Sequence, residues 1–264
     1  MKCQCGGEFE LALARNVQQL LLPKSSPSCH WCCFGVKNLM ANGLGGDFFD
    51  FITMPDGCQA VFLGDVTGHG LHASVVMSLL YGFIHRACLK SCSPLETVLE
   101  TNQFLQSFAE RSVKYDHFFS STLFFGVINP DTLEMQFVNC GHLPPMVRRD
   151  KHLFTLNSTG PPIGFFERPD IEMRSFRFEK NDRLLLYTDG ISEATNADNH
   201  MFGLRRLSQL LMHSDDNYLE FLDKIFAELK NFGAPNPPQD DCTAIIMDFH
   251  PFLPPVPKGQ SLPP

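Results

Sequence analysis

Residues 64–74 read GDVTGHGLHAS, a segment with one aspartate, three glycines and two histidines. The apolar run that ends in this segment, 58–66, is typical of a β-strand, and the apolar spacing of 70–89 predicts a helix. The segment has neither the G-x-G-x-x-G spacing of a dinucleotide loop nor the lysine of a Walker loop. We interpret it as a strand-to-helix turn that leaves Asp65 at the end of a strand.

The sequence on either side of this turn predicts alternating blocks of strands and helices. The run 47–54 is joined to 58–66 by Pro55-Asp56-Gly57, which predicts a β-hairpin. Blocks of this kind indicate an α+β fold, and we expect a sandwich of antiparallel strands covered by helices on both faces. The other predicted strands are 29–36, 121–129, 133–140, 144–149, 152–156, 172–178, 183–187 and 243–249, and the other predicted helices are 8–22, 93–112, 203–212 and 217–232.

The chain is predicted to contain one domain, because no stretch within 8–249 has the composition of a linker. Residues 1–7 are expected to form a flexible N-terminus, and 250–264 a Pro-rich disordered tail.

The composition indicates a packed globular protein, with 44% hydrophobic and 19% charged residues. A formal net charge of -8 argues against a nucleic-acid partner. No apolar run reaches the roughly 18 residues of a membrane span, and the N-terminus lacks the apolar core of a signal peptide. We therefore expect a cytoplasmic protein without a membrane partner, whose ten cysteines are mostly reduced thiols.

Aspartates stand at the ends of apolar strands, beside glycines or turns: Asp47, Asp65, Asp189 and the pair Asp240 and Asp241. A carboxylate in such a position is costly to desolvate unless it is paired or bound to a cation. Few lysines or arginines are neighbours of these residues in the sequence, which favours a site for Mg²⁺ or Mn²⁺ with oxygen ligands. An aspartate beside glycine is also a common turn residue, so spacing alone leaves both interpretations open.

Other residues with ligand chemistry have simpler interpretations. His69 and His142 lie in glycine motifs and are predicted to be structural or to support the acidic site. Five cysteines in the first part of the chain have two interpretations. They could form a small zinc site of C-x-C and C-x-x-C type, or they could be ordinary residues of a strand and a loose terminus. The cysteines concerned are Cys3, Cys5, Cys29, Cys32 and Cys33.

An ordered set of motifs resembles the metal-dependent (PPM, type 2C) serine/threonine protein phosphatases. The similarity is to the bacterial SpoIIE-like branch, which includes the sigma-B regulatory phosphatases, and it covers residues 8–249. The motifs are LARNVQQLLLP (13–23), GLGGDFFDF (43–51), GDVTGHGLHAS (64–74), STLFFGVINPDTLEMQFVNCGHLPP (121–145), GPPIGF (160–165), DRLLLYTDGISEATN (182–196), FG (202–203) and QDDCTAIIMDF (239–249).

The resemblance implies a four-layer αββα sandwich of two antiparallel sheets, with two Mn²⁺ or Mg²⁺ ions at one end of the strands. Asp65 would bridge both ions, and Asp240 matches the family's ligand position better than Asp241. A hydroxide bridging the two metals would attack the phosphorus, so that no cysteine nucleophile is needed. The implied catalytic and metal-binding residues are Asp47, Asp65, Asp189 and Asp240, with the Val66 carbonyl as a backbone ligand.

The implied reaction is hydrolysis of phosphoserine or phosphothreonine on a bacterial regulatory protein, such as a STAS-type anti-sigma-factor antagonist. Helix 8–22 occupies the place where relatives attach a sensor domain, and we expect it to mediate homodimerisation or activation by a partner. Two alternatives stay open at this point: a phosphatase of a small phosphoester, and a non-catalytic partner-binding protein on the same fold.

Overall fold

The computed structural model describes residues 5–23, 29–41, 43–112 and 119–250 of the chain. Its helices are α1 (Cys5–Leu21), α2 (Gly70–Cys88), α3 (Pro94–Ser112), α4 (Asp189–Ser192), α5 (Gly203–His213) and α6 (Tyr218–Phe232). Its strands are β1 (Cys32–Leu39), β2 (Asp47–Thr53), β3 (Gln59–Val66), β4 (Ser121–Asn129), β5 (Glu134–Cys140), β6 (Met146–Arg149), β7 (His152–Thr155), β8 (Arg174–Arg177), β9 (Arg183–Tyr187) and β10 (Cys242–Phe249).

The strands form two five-stranded sheets that lie face to face. The first sheet has the order β1-β10-β9-β6-β7, and the second sheet has the order β2-β3-β4-β5-β8. Neighbouring strands pair antiparallel in both sheets. The Phe34 ring of β1 lies 4.7 Å from the Phe51 ring of β2, which joins the two inner faces.

Strand β10 explains why the first sheet is covered on both faces. Ile245 and Met247 belong to the large apolar core that includes the space between the sheets. Ala244 and Ile246 belong to a second apolar cluster beneath α5 and α6. Successive side chains of a strand point to opposite faces, so one continuous apolar run serves two interfaces.

The helices form the two outer layers. Helices α2 and α3 contact the second sheet, and α5 and α6 contact the first. Helix α6 is sharply delimited by a capping box, in which Asn217 accepts the backbone N–H groups of Leu219 and Glu220, and by Gly233, which has a φ of 94°. The predicted α+β class with four αββα layers is confirmed.

The first strand differs from its prediction, since it occupies Cys32–Leu39 instead of 29–36. Lys37 and Asn38 pair with Ala244 and Thr243 of β10, although both side chains are polar. Pairing across the sheet therefore extends β1 beyond the end of its apolar run.

Two helical segments also depart from the sequence pattern. Helix α4 has only four residues, too few to show helical periodicity. Helix α1 begins at Cys5, so residues 5–7 are helical rather than part of a flexible terminus. Gly6 and Gly7 are poor helix formers, which favoured a later predicted start. Residues 1–4 and the predicted tail beyond residue 250 lie outside the described residues.

Within the described part of the chain, every helix is too short or too polar to cross a membrane.

Candidate metal centre

The β2–β3 hairpin brings two of the predicted ligands side by side. Asp47 opens β2 and is paired with Asp65 near the end of β3, so both side chains leave the same face of the second sheet. Next to Asp65, Gly64 is paired with Phe48 and leaves room for its ring, since a β-carbon at Gly64 would overlap the Phe48 side chain.

Asp47 is deeply buried, with 1% of its surface exposed. The hydroxyls of Thr188 and Thr243 donate to its Oδ2 atom at 2.9 and 2.5 Å. Burial raises the pKa of Asp47 well above its usual range, and the charges of Asp65 and Asp241 raise it further. The two threonines lower this pKa and hold the carboxylate in one orientation, but they carry no positive charge.

Asp65 and the Val66 carbonyl lie close to Gly46. A β-carbon on Gly46 would lie 2.8 Å from the Val66 carbonyl oxygen and 3.0 Å from Asp65 Oδ1. The absence of a side chain therefore leaves room next to both oxygens. Burial raises the pKa of Asp65 to about 8, and the charges of three other aspartates act in the same direction.

Asp189 follows β9 and is the first residue of α4. Burial raises the pKa of its carboxyl group, and the charges of Asp240 and Glu193 raise it further. A β-carbon on the next residue, Gly190, would overlap the Asp241 carbonyl oxygen. Glycine at this position thus lets the segment before β10 approach Asp189 closely.

Asp240 and Asp241 are adjacent in sequence but differ in their surroundings. Asp241 is buried, and its carboxylate accepts the backbone N–H groups of Ala41 at 2.9 Å and Gly46 at 2.8 Å. It therefore fixes the loop that leads into β2. Asp240 is exposed, and its Oδ1 atom accepts the N–H of Asp241 at 2.8 Å. This contrast favours Asp240 over Asp241 as a cation ligand.

The five aspartates come from four chain segments and share one electrostatic environment. Wherever another charge shifts the pKa of Asp47, Asp65, Asp189 or Asp241, that charge belongs to an acid. Carboxylate and carbonyl oxygens are the donors that Mg²⁺ and Mn²⁺ prefer. The donor chemistry and the space at Gly46 therefore fit a divalent cation.

The carboxylates do not form a closed coordination shell in this conformation. Among the described residues, no three His, Cys, Asp or Glu side chains converge closely enough to hold a metal ion. Closing a shell around a cation requires movement of side chains that are half-buried or exposed, such as Asp65, Asp189 and Asp240.

Three supporting residues were missed in the sequence. Thr188 and Thr243 orient Asp47, and their hydroxyls beside strand-end aspartates are the available signal. Gln18 of α1 is buried and bonds Gly45 twice: its amide nitrogen donates to the Gly45 carbonyl at 2.7 Å, and its amide oxygen accepts the Gly45 N–H at 3.1 Å. No local pattern announces this contact.

The two histidines lie in different settings. His142 is buried, burial lowers its pKa to about 4, and its Nδ1 lies 3.1 Å from the Thr122 hydroxyl. His69 is exposed and forms the N-cap of α2 without a side-chain capping bond. A structural interpretation fits His142, and neither histidine contributes to a group of three potential ligands.

The predicted alternative of a zinc site is not formed by the described cysteines. Cys29, Cys32 and Cys33 are free thiols, and they belong to no group of three potential ligands within the described part of the chain. A hydrogen bond from Cys32 lowers the pKa of Cys29, while Cys33 Sγ lies 3.0 Å from His250 Nε2. Cys3 and the side chain of Cys5 lie outside what the structure describes.

Comparison with known proteins identifies relatives of this chain. A family model described as "Stage II sporulation protein E (SpoIIE)" matches residues 55–250, well over half of the chain. Phosphoserine phosphatase RsbP of Bacillus subtilis is 27% identical over 242 residues, which cover 90% of this chain and 57% of RsbP. Phosphoserine phosphatase RsbU of the same organism is 24% identical over 244 residues, which cover 90% of this chain and 69% of RsbU.

A solved structure shares the fold. The SiaA-PP2C domain of Pseudomonas aeruginosa superimposes with a TM-score of 0.79 at 20% identity, covering 93% of this chain and 98% of that domain. At this identity the likeness concerns the fold alone. The chain also spans little more than half the length of RsbP, so the relatives' names describe longer proteins.

Proposed function

Since this chain belongs to the family described as Stage II sporulation protein E, we propose that it is a divalent-metal-dependent phosphatase of phosphoserine or phosphothreonine. The observation that carries the proposal is the set of five aspartates at one edge of the sandwich, where every charge that shifts the pKa of Asp47, Asp65, Asp189 or Asp241 is an acid. RsbP and RsbU are both named phosphoserine phosphatases, which supports the same reaction class.

The proposed cofactor is a pair of Mn²⁺ or Mg²⁺ ions. When bound, such ions supply Lewis-acid chemistry, because they lower the pKa of a water molecule and offset negative charge on phosphoryl oxygens. Asp241 is the alternative to Asp240 in the ligand set, although its carboxylate already holds two backbone N–H groups. The proposed ligands are Asp47, Asp65, Val66 through its carbonyl, Asp189 and Asp240.

The protein's own residues prepare this site in three ways. Thr188 and Thr243 hold Asp47 Oδ2, which fixes one carboxylate before any ligand arrives. Asp241 holds the loop before β2, and that loop carries Gly46 beside the Val66 carbonyl. Burial and the neighbouring acids raise the pKa of Asp65 to about 8, so a cation held by this carboxyl group at neutral pH would compete with its proton.

The proposed substrate is a phosphorylated regulatory protein of the STAS type that takes part in sigma-factor control. The proposed location of the reaction is the cytoplasm. This part of the proposal rests on the resemblance to the sigma-B regulatory phosphatases. The formal net charge of -8 is consistent with a protein substrate and with no nucleic-acid partner.

Helix α1 is proposed to receive an activating partner or a second copy of the chain. Its residues Phe9, Leu13, Val17 and Leu20 are 68%, 53%, 56% and 73% exposed and follow helical spacing on one face. The neighbouring Gln18 bonds Gly45 in the loop that Asp241 holds. A change in the position of α1 would therefore reach the acidic site directly.

The test is hydrolysis of p-nitrophenyl phosphate by the full chain with Mn²⁺ or Mg²⁺, followed by phosphorylated STAS proteins and phosphoserine peptides. We expect hydrolysis of both substrate classes, and loss of both with a chelator. Hydrolysis of p-nitrophenyl phosphate but of no phosphoprotein or phosphopeptide would favour a small phosphoester as substrate. Absence of metal-dependent hydrolysis on every substrate would contradict the proposal and favour a binding protein.

A further inference from the structure

A pocket of about 530 Å³ opens directly beside the metal centre, and Asp189 and Asp240 form part of its wall. The pocket lies where α6 stops while the sheet beneath it continues. Helix α6 ends at Phe232, and Gly233 turns the chain away. Residues 234–239 then return toward β10 and form the outer rim, where the Thr195 hydroxyl lies 2.6 Å from Gln239 Oε1.

The floor of this pocket, called here the flank pocket, is apolar. Phe226 and Leu229 line the pocket on the side of α6, and Leu39 of β1 and Cys242 of β10 line it on the side of the sheet. Leu39 and Cys242 are paired across the sheet. Leu39 is 42% exposed, although its neighbours on this floor are buried or half-buried. An exposed leucine in a concave apolar site favours an apolar ligand group.

The flank pocket is lined by both acidic and basic side chains. The side shared with the metal centre carries Asp189, Glu193 and Asp240. Lys37 lies on β1 opposite Ala244, two residues further from the metal centre than Leu39, or about 7 Å along the strand. Lys230 lies in the last turn of α6. Both lysines line the pocket, and Lys230 lies at the end of α6 that is nearer to the metal centre than Lys37.

We propose that the flank pocket binds the part of the substrate protein next to its phosphorylated residue, with an apolar side chain on the floor and an acidic side chain at Lys37 and Lys230. This inference rests on the proposed phosphatase function and adds to it the class of substrate sequence. The shared wall residues mean that a chain leaving the metal centre on this side enters the pocket at once.

Charge complementarity identifies the occupant as an apolar and acidic peptide segment. An acidic side chain in the pocket would be attracted by Lys230 and Lys37, whereas a basic side chain there would be repelled by them. Lys37 already pairs with Asp223, whose side chain is 75% exposed, and lies over the Phe226 ring. Lys230 is exposed in the last helical turn and is the better residue to test.

The experiment compares two kinds of substrate with the full chain and Mn²⁺. One is p-nitrophenyl phosphate, which has no flanking sequence. The other is a set of phosphoserine peptides that carry leucine or serine, and aspartate or lysine, at each of the neighbouring positions on either side. The variants are Leu39→Ser and Lys230→Glu. Their controls are Leu219→Ser, an exposed leucine at the other end of α6, and Lys151→Glu, an exposed lysine between β6 and β7.

We expect the wild type to prefer peptides with an apolar and an acidic neighbour by about tenfold in kcat/KM. Leu39→Ser should remove the preference for leucine. Lys230→Glu should reduce the preference for aspartate by about fivefold and restore activity toward the lysine peptides. Hydrolysis of p-nitrophenyl phosphate should stay unchanged in both variants and both controls.

The inference is overturned if wild-type enzyme that hydrolyses p-nitrophenyl phosphate shows no sequence preference, or if both pocket variants keep the preference of their controls. It is also overturned if Leu39→Ser changes only the oligomeric mass, because the occupant is then a second copy of the chain. Failure of the proposed function has a different signature, namely no metal-dependent hydrolysis of any substrate by the wild type.

Discussion

Strands β9 and β10 carry carboxylates at both ends, and the two ends are stabilised differently. At one end, Asp182 accepts Nε and Nη2 of Arg149 at 2.9 and 2.7 Å, and Asp248 accepts Nε and Nη2 of Arg183 at 2.6 Å each. At the other end, Asp189 and Asp241 are influenced by acids. The comparison separates aspartates that have arginine partners from aspartates whose neighbouring charges are acids.

The partners of a buried aspartate distinguish two kinds of site that have the same degree of burial. Asp182 and Asp47 are both almost completely buried, with 0% and 1% of their surface exposed. Asp182 has a bidentate arginine, which is the strongest common partner of a buried carboxylate. Asp47 has two threonine hydroxyls. The acidic end therefore lacks the stabilising counter-charge that Arg149 gives Asp182, as the proposed cation site requires.

The largest expected effect is on catalysis, at the acidic end. Asp65→Asn removes the carboxylate charge at the position proposed to bridge two ions while keeping its size. We expect kcat on p-nitrophenyl phosphate with Mn²⁺ to fall by about a thousandfold. Thermal unfolding without metal should show a Tm equal to or higher than that of the wild type, because the cost of keeping this carboxyl group protonated in the folded protein at neutral pH is removed. A variant with more than a tenth of wild-type activity would contradict the proposed role.

The next effect is on stability, at the arginine end. Asp182→Asn leaves Arg149 without its buried charge partner, and we expect the free energy of unfolding to fall by about 3–5 kcal/mol. Urea denaturation measures the change. Asp215→Asn is the control, because its fully exposed side chain lies 3.7 Å from Arg148 and should change stability by less than about 1 kcal/mol. Specific activity per folded molecule should be unchanged in both variants.

A third prediction divides the two adjacent aspartates before β10. Asp240→Asn should reduce Mn²⁺ affinity by at least about tenfold, measured as the metal concentration at half-maximal activity, with little loss of stability. Asp241→Asn should lower stability by about 1–3 kcal/mol, because an amide cannot accept both the Ala41 and Gly46 N–H groups with two oxygens. The reverse assignment of these two effects would make Asp241 the ligand.

The last prediction concerns the pH dependence of the metal-free protein. The pKa of Asp65 is about 8 in the folded protein and about 4 in an unfolded chain, so folding takes up a proton between these values. In a chelator, Tm should therefore fall as the pH rises from about 4 to 8. Subtracting the Asp65→Asn profile isolates this residue, and the difference should be about 3 °C or more. Identical slopes in the two proteins would show that Asp65 ionises normally.

Much of the fold could be predicted because its apolar runs are well bounded. Strands β4 and β9 begin and end at the predicted residues 121, 129, 183 and 187. Helix α6 begins at Tyr218, one residue after the predicted start at 217, because Asn217 is the N-cap. In contrast, β1 extends over Lys37 and Asn38 because of pairing with β10, which no local pattern reveals.

The acidic site could be predicted only as a list of strand-end aspartates. The hydroxyls that orient Asp47 lie 141 and 196 residues away in sequence, and the N–H groups that hold Asp241 lie 200 and 195 residues away. Likewise, Arg149 and Asp182 are 33 residues apart. Strand-end carboxylates look alike in the sequence, and only the folded chain shows which of them have arginine partners.

The paired hydrogen bonds between Gln18 and Gly45 have a consequence for how a distant event could be transmitted. An α-helix advances about 100° per residue, so rotating α1 by one position replaces Gln18 by Val17 or Gln19. Val17 cannot bond a peptide group through its side chain, whereas Gln19 carries the same amide. The hydrogen bonds to Gly45 thus depend on the rotation of α1 about its axis. A rotation of the helix would displace the loop at the Gly45 peptide.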